Sequence, residues 1–182
     1  METKPKCESS CVTRRQFLVA GGGAVTVLLT IPAIPGLSSL LAVPAQVAKY
    51  PRKLVAHLDE VGDGVPIYFK YPDEEPLSSA SFLVKLGRPA GGAVGPDGDI
   101  VAFNALCPHM GGPLMGTYKK EEAAIGPCPF HLTTFDLTKH GMVIAGHATE
   151  SLPQVLLEVE GNDIYAFGML GLIYGRASNV AG

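Results

Sequence analysis

Tryptophan is absent from this chain of 182 residues, and aromatic residues make up only 7% of it. Charge is also scarce at 17%, with 14 basic residues against 17 acidic ones and a formal net charge of −3. That balance leaves no basic surface for a nucleic acid, whose binders concentrate Lys and Arg on one face. Four cysteines are too few to staple a domain of this length, and two of them, Cys7 and Cys11, stand near the N-terminus. From Tyr50 onward no stretch repeats its apolar residues at a sustained helical period, which argues against a helical bundle. What the chain does hold is 47% hydrophobic residues, 22 glycines and 15 prolines. That is enough apolar material to build a core, so disorder is excluded as well.

The first 45 residues differ from the rest. Lys4, Lys6, Arg14 and Arg15 form a basic head, and no charge follows from Phe17 to Ile31. A membrane span needs about 20 apolar residues, more than this run supplies. A basic head, an apolar middle and the small-residue exit Val43-Pro44-Ala45 make the order of an export signal. Thr13-Arg14-Arg15-Gln16-Phe17-Leu18 resembles the twin-arginine motif, and Gly21, Gly22 and Gly23 temper the hydrophobicity that follows. Residues 1–45 are therefore expected to hand a folded protein to the twin-arginine export machinery and release it in the periplasm. An uncleaved N-terminal anchor is the alternative. Folded export suits a protein whose cofactor is inserted beforehand, so the leader itself points to a cofactor. Residues 46–182 hold ten basic and fifteen acidic residues, a net charge of −5.

The mature region reads as an all-β domain of small antiparallel sheets or a partly open barrel. Short runs rich in β-branched and aromatic residues predict strands at 53–58, 65–71, 81–86, 100–103, 123–125, 134–136, 142–145, 156–160, 163–167 and 171–174. Glu160-Gly161-Asn162-Asp163 between two alternating runs predicts a tight hairpin. The Gly-rich stretch from Pro89 to Gly98 reads as a surface loop.

Chemistry has few residues to work with, and they are paired. Cys107-Pro108-His109 is followed by Cys128-Pro129-Phe130-His131. In extended chain, positions two apart point the same way, so Cys107 and His109 face one centre, and a turn does the same for Cys128 and His131. Two thiolates and two imidazoles suit a closed tetrahedral zinc site or a [2Fe–2S] cluster with sulfur ligands on one iron and nitrogen ligands on the other. The flanks separate the two. Gly111-Gly112-Pro113 and Gly126-Pro127 form loops in which backbone N–H groups can crowd around sulfide ions, a surrounding zinc does not need. Both that and the leader favour iron–sulfur.

The segment from Asn104 to Asp136 resembles the two cluster-binding boxes of Rieske proteins, C-x-H and C-P-x-H-x-[ST]-x-x-D. By that resemblance Cys107 and Cys128 bind the inner iron of one [2Fe–2S] cluster, and His109 and His131 bind the outer iron. The resemblance further implies a base domain within residues 46–182 and an inserted cluster-binding part at about 104–147. Departures from the family pattern matter too. Quinol-oxidising Rieske proteins carry two further cysteines that cross-link their boxes; Gly112 and Phe130 stand at those positions here. Thr133 occupies a Ser position that donates a hydrogen bond to the cluster, whereas Phe135 replaces a Tyr donor. Fewer donors stabilise the reduced cluster less, so the expected midpoint lies below quinol-oxidising Rieske proteins and above dioxygenase ferredoxins.

Leader and boxes together are similar to the small subunit of bacterial arsenite oxidase. This resemblance implies an electron-transfer subunit paired with a large molybdopterin subunit that also holds a [3Fe–4S] cluster. It implies a soluble cytochrome c or blue-copper protein as acceptor. It also makes 146–153 a counterpart of the loop that covers the cluster. The Rieske subunit of a membrane quinol–cytochrome oxidoreductase is the alternative, disfavoured by the short apolar run and by Gly112 and Phe130. Outside the boxes, His57 reads as structural, His140 as solvated, and His147 as a candidate neighbour of the site. Lys119, Lys120, Glu121 and Glu122 read as a solvated loop. Met110, Leu114 and Met115 are expected to shield the cluster or face a partner.

Overall fold

The computed structural model describes residues 49–74 and 77–180. The expected export signal and its two cysteines lie outside the described residues. Among those residues, no helix is long and apolar enough to cross a membrane.

Six strands form the larger sheet: β1 (Lys53–His57), β2 (Ile67–Lys70), β3 (Ala80–Lys85), β4 (Ile100–Asn104), β9 (Gln154–Glu160) and β10 (Asp163–Leu170). Their order is β1-β10-β9-β4-β3-β2, with every neighbouring pair antiparallel. β4 is buried along its whole length and β3 nearly so, because their alternating side chains serve two cores at once. Leu83, Ile100 and Ala102 pack with Ile164 and Ala166 on one side. Phe82, Val84, Val101 and Phe103 turn the other way, into the core that also holds Cys107 and Cys128. Burying each large side chain of this kind contributes roughly 1.5–3 kcal/mol, so the wall behind the two cysteines is a rigid one.

The smaller sheet falls in the chain between β4 and β9. It comprises β5 (Tyr118–Lys119), β6 (Ala124–Ile125), β7 (Thr134–Asp136) and β8 (Met142–Ala145), in that order. The hairpin at Gly161-Asn162 forms as the sequence predicts, with Glu160 paired to Asp163 and Gly161 taking the left-handed φ of 63°.

Two expectations change. Gly171–Tyr174 is not a strand. Both edges of β10 are taken by β1 and β9. Beyond Leu170 the Asn179 side chain replaces a partner strand, accepting from Ile173 N–H and donating to Gly171 C=O. Conversely, β5 was hidden behind the charge pairs. Lys119 pairs in register with Ala124, and Lys120 reaches back to the Asp63 carbonyl at 3.1 Å. Part of the expected solvated loop is thus tied down.

Candidate metal centre

Asn104 closes β4 and fixes where the first loop begins. Its buried amide donates to the carbonyls of Ser78 and Ala80, and its oxygen accepts the N–H of Leu106. The loop then folds back on its cysteine. Cys107 N–H donates to Gly112 C=O at 2.9 Å, and Gly111 N–H donates to Cys107 C=O at 2.8 Å. The second loop repeats the pattern at the same spacing. Cys128 N–H donates to Thr133 C=O at 2.8 Å, and Leu132 N–H donates to Cys128 C=O at 2.9 Å. Even the backbone angles correspond, with φ of 68° at Gly111 and 59° at Leu132. One loop design is therefore used twice. Glycine takes the left-handed position without strain in the first copy; in the second a leucine does so at a cost of about 1 kcal/mol or more.

These two loops bring the four expected residues close as two pairs, thiol beside thiol and imidazole beside imidazole; among the described residues no three such side chains gather closely enough to hold a single metal ion. Both thiols are buried, and Cys128 and the Thr133 hydroxyl lie beside Cys107. The His109 and His131 rings meet edge to face with centroids 4.7 Å apart. Burial pushes the Cys107 thiol above its ordinary pKa, against the backbone of His109 and the Thr133 hydroxyl, which pull it down.

Three observations test whether a soft metal centre fits here. His131 Nδ1 is buried and has no hydrogen-bond partner among the described residues, an arrangement that costs free energy unless a ligand takes the lone pair. A Cβ at position 112 would stand 2.5 Å from Cys128 Sγ, so only glycine leaves the sulfur its space. The donor set of two sulfurs and two imidazole nitrogens is that of a cluster with unlike irons. The residues fit.

Surrounding residues sort themselves by contact. Thr133 is fully buried, and its Oγ1 accepts from His147 N–H and Ala148 N–H. That clasp holds residues 146–148 over the loops and sets the exposed His147 ring 6.1 Å from His109 and 6.0 Å from His131. Phe135 is buried between Ile125 and Val143 and brings no hydroxyl. Phe130 is exposed, yet a Cβ at position 112 would stand 3.2 Å from its ring, so these two positions do face each other. Met110 and Met115 are exposed, whereas Leu114 is buried in the core. His57 lies away from the loops, 2.7 Å from Asp163 on β1 and β10. His140 is exposed, as expected, though one of its ring nitrogens is engaged. Its Nδ1 lies 2.8 Å from the oxygen of buried Gln154, whose amide donates to Gly91 C=O. Sequence reasoning missed the left-handed Leu132, whose only signal was its place four residues after a loop cysteine, where Gly111 sits in the other loop.

Comparison with known proteins bears on the same residues. The Rieske [2Fe–2S] domain family matches residues 52–160. The iodate reductase subunit IdrB of Denitromonas iodatirespirans is 55% identical over 175 residues, covering 96% of this chain and 90% of that protein. Its counterpart from Pseudomonas sp. (strain SCT) is 54% identical, covering 92% and 84%. Among solved structures, the soluble domain of Rieske protein II (soxF) from Sulfolobus acidocaldarius superimposes with a TM-score of 0.61 at 25% identity, over 70% of this chain and 82% of that one.

Proposed function

Because the chain belongs to the Rieske [2Fe–2S] domain family, we propose that it is the electron-transfer subunit of an exported molybdenum oxidoreductase acting on a small oxyanion. Cys107, Cys128, His109 and His131 hold its single Rieske-type cluster. Once bound there, that cluster supplies reversible one-electron exchange. The chain's own residues do the rest. The two repeated loops fix both ligand pairs before loading, and the packed core behind Cys107 and Cys128 keeps water from the sulfur side. Thr133 donates toward the Cys107 sulfur, and the partly exposed imidazoles leave the nitrogen side open to a redox partner. The buried His131 Nδ1, partnerless among the described residues, carries this assignment.

The partner reading follows from the two near-full-length relatives, each named as one subunit of an iodate reductase. We take the substrate-bearing partner to be a large molybdopterin subunit with its own [3Fe–4S] cluster. A soluble cytochrome c or blue-copper protein exchanges electrons at the other end, in the periplasm. Iodate is the substrate these relatives support for the whole enzyme; arsenite, implied by the resemblance of the boxes and leader, is the second reading. The two require opposite electron flow, and that makes them separable. In the purified two-subunit complex, iodate should erase the EPR signal of the pre-reduced Rieske centre. If arsenite instead generates that signal from the oxidised complex, the arsenite reading holds. If neither substrate changes it, the subunit assignment fails.

A further inference from the structure

Ten successive residues, Ala166 to Gly175, carry no charge. β10 uses the first five, but beyond Leu170 the chain leaves the sheet and runs against the first ligand loop. There a Cβ at position 111 would stand 2.6 Å from the Tyr174 ring. Leu172 and Tyr174 are exposed at 52% and 40%, while Ile173 between them is fully buried. Leu170 is exposed beside them. Contiguous apolar side chains left in water mark an interaction site more often than an isolated exposed leucine does. The Leu172 main chain adds to this, since its N–H and C=O have no partner among the described residues.

These side chains wall a cleft of about 580 Å³ that reaches Pro108, the residue between Cys107 and His109. Arg176 and Glu150 are the charged residues along it, apart from His140. The Arg176 guanidinium is ion-paired with Asp73 and spends four of its five N–H donors inside the chain, on Asp73, Ser78, Ser79 and the Asn179 carbonyl. Glu150 has no hydrogen-bond or ion-pair partner among the described residues. The one uncommitted charge in the cleft is therefore negative.

We propose that this cleft receives an extended segment of the large subunit, with apolar side chains against Leu170, Leu172 and Tyr174 and a Lys or Arg facing Glu150. The inference rests on the subunit reading above and assigns the surface on which that subunit is anchored. Charge selects a cationic segment. The uncharged apolar walls suit a partner that stays bound, because a transient one would return them to water at each release. The contact with Pro108 places the anchored segment beside the first pair of ligands.

The test uses the full chain co-expressed with the large subunit. Leu172→Glu and Glu150→Lys should each lower the amount of co-purified large subunit at least tenfold. Leu54→Glu on β1 should leave it unchanged. The reduced EPR signal of all three variants should match the parent in shape and amount, which shows that each is folded and loaded. In the intact complex, amide exchange across 170–174 should slow relative to the free chain. Full retention of the large subunit by both cleft variants, or unchanged exchange at 170–174, overturns the proposal. So does a dimer of the isolated chain that Leu172→Glu disperses while large-subunit capture persists, since the occupant is then a second copy. If the parent chain captures no large subunit at all, the subunit reading fails and this inference falls with it.

Discussion

Thr133 holds His147 in place: its Oγ1 accepts the His147 N–H at 3.1 Å and the neighbouring Ala148 N–H at 3.3 Å. With both lone pairs used, the single hydroxyl hydrogen is left free to face the neighbouring Cys107 sulfur. One side chain therefore tunes the site and clasps its cover. Thr133→Ser keeps both roles and should leave the midpoint close to the parent. Thr133→Val loses both. A hydrogen bond to a charged group contributes about 1.5–3 kcal/mol. The part that differs between redox states should lower a one-electron midpoint by roughly 50–100 mV. An EPR-monitored redox titration decides it, and equal midpoints for Val and Thr would remove the donor role.

Gly112→Ala separates folding from loading. The added methyl meets Cys128 Sγ at 2.5 Å. A free thiol can rotate away from it, whereas a sulfur fixed by iron cannot. We expect the variant to fold, with circular dichroism like the parent, yet to carry a small fraction of the parent's iron and little of its reduced EPR signal. Normal iron content would show that the sulfur has room to spare.

Much of this was legible in the sequence. Cys107, His109, Cys128 and His131 announced themselves because soft donors in pairs are rare in a chain with four cysteines. The central strands were readable because β3 and β4 are apolar on both faces. What escaped was whatever depends on partners distant in the chain. Gly171–Tyr174 has strand composition but no strand beside it, and Asn179 fills that place. Tyr118–Lys119 looked like the start of a charged loop because pairing with Ala124 and Ile125 leaves no periodic trace in two residues. The clasp between Thr133 and residue 147 is made by backbone N–H groups, on which side-chain identity is silent.

Phe135→Tyr probes the donor that the family pattern carries and this chain lacks. Phe135 is fully buried in the core that contains both cysteines. A hydroxyl there must find an acceptor or cost roughly 1–3 kcal/mol, and the cysteine sulfurs of the same core are the acceptors expected to take it. The midpoint should rise, with at most a small loss of thermal stability. A lower midpoint with a large loss of stability would mean that the hydroxyl points away from the site.

Removing the metal should expose the raised Cys107 thiol as a pH dependence. Burial keeps its proton on in the folded apoprotein, while an unfolded cysteine loses its proton near pH 8.5. The folded state then binds the extra proton, so stability is intact below about pH 8.5 and falls as pH rises toward the elevated folded value. For one group the slope is at most about 1.4 kcal/mol per pH unit. Thermal unfolding between pH 7 and 10 should show the apoprotein Tm falling, and Cys107→Ser should flatten the curve. The loaded protein should not share this loss, because its ligating thiols are already deprotonated.

Leu132 is at once strained and wasteful: its φ is 59° and its side chain is 66% exposed beside His131. Glycine serves at the corresponding position of the other loop, so stability alone would favour glycine here. Leu132→Gly should therefore raise or preserve the stability of the loaded protein, since release of about 1 kcal/mol of left-handed strain offsets the added freedom of the unfolded chain. The midpoint should not move, because Leu132 N–H still bonds Cys128 C=O. What should suffer is electron exchange with a protein partner: the second-order rate should drop several-fold while reaction with ferricyanide stays the same. That combination is the signature of a residue kept for docking at the expense of fold. A variant less stable than the parent by more than 1 kcal/mol would instead make Leu132 a structural residue whose packing outweighs its strain.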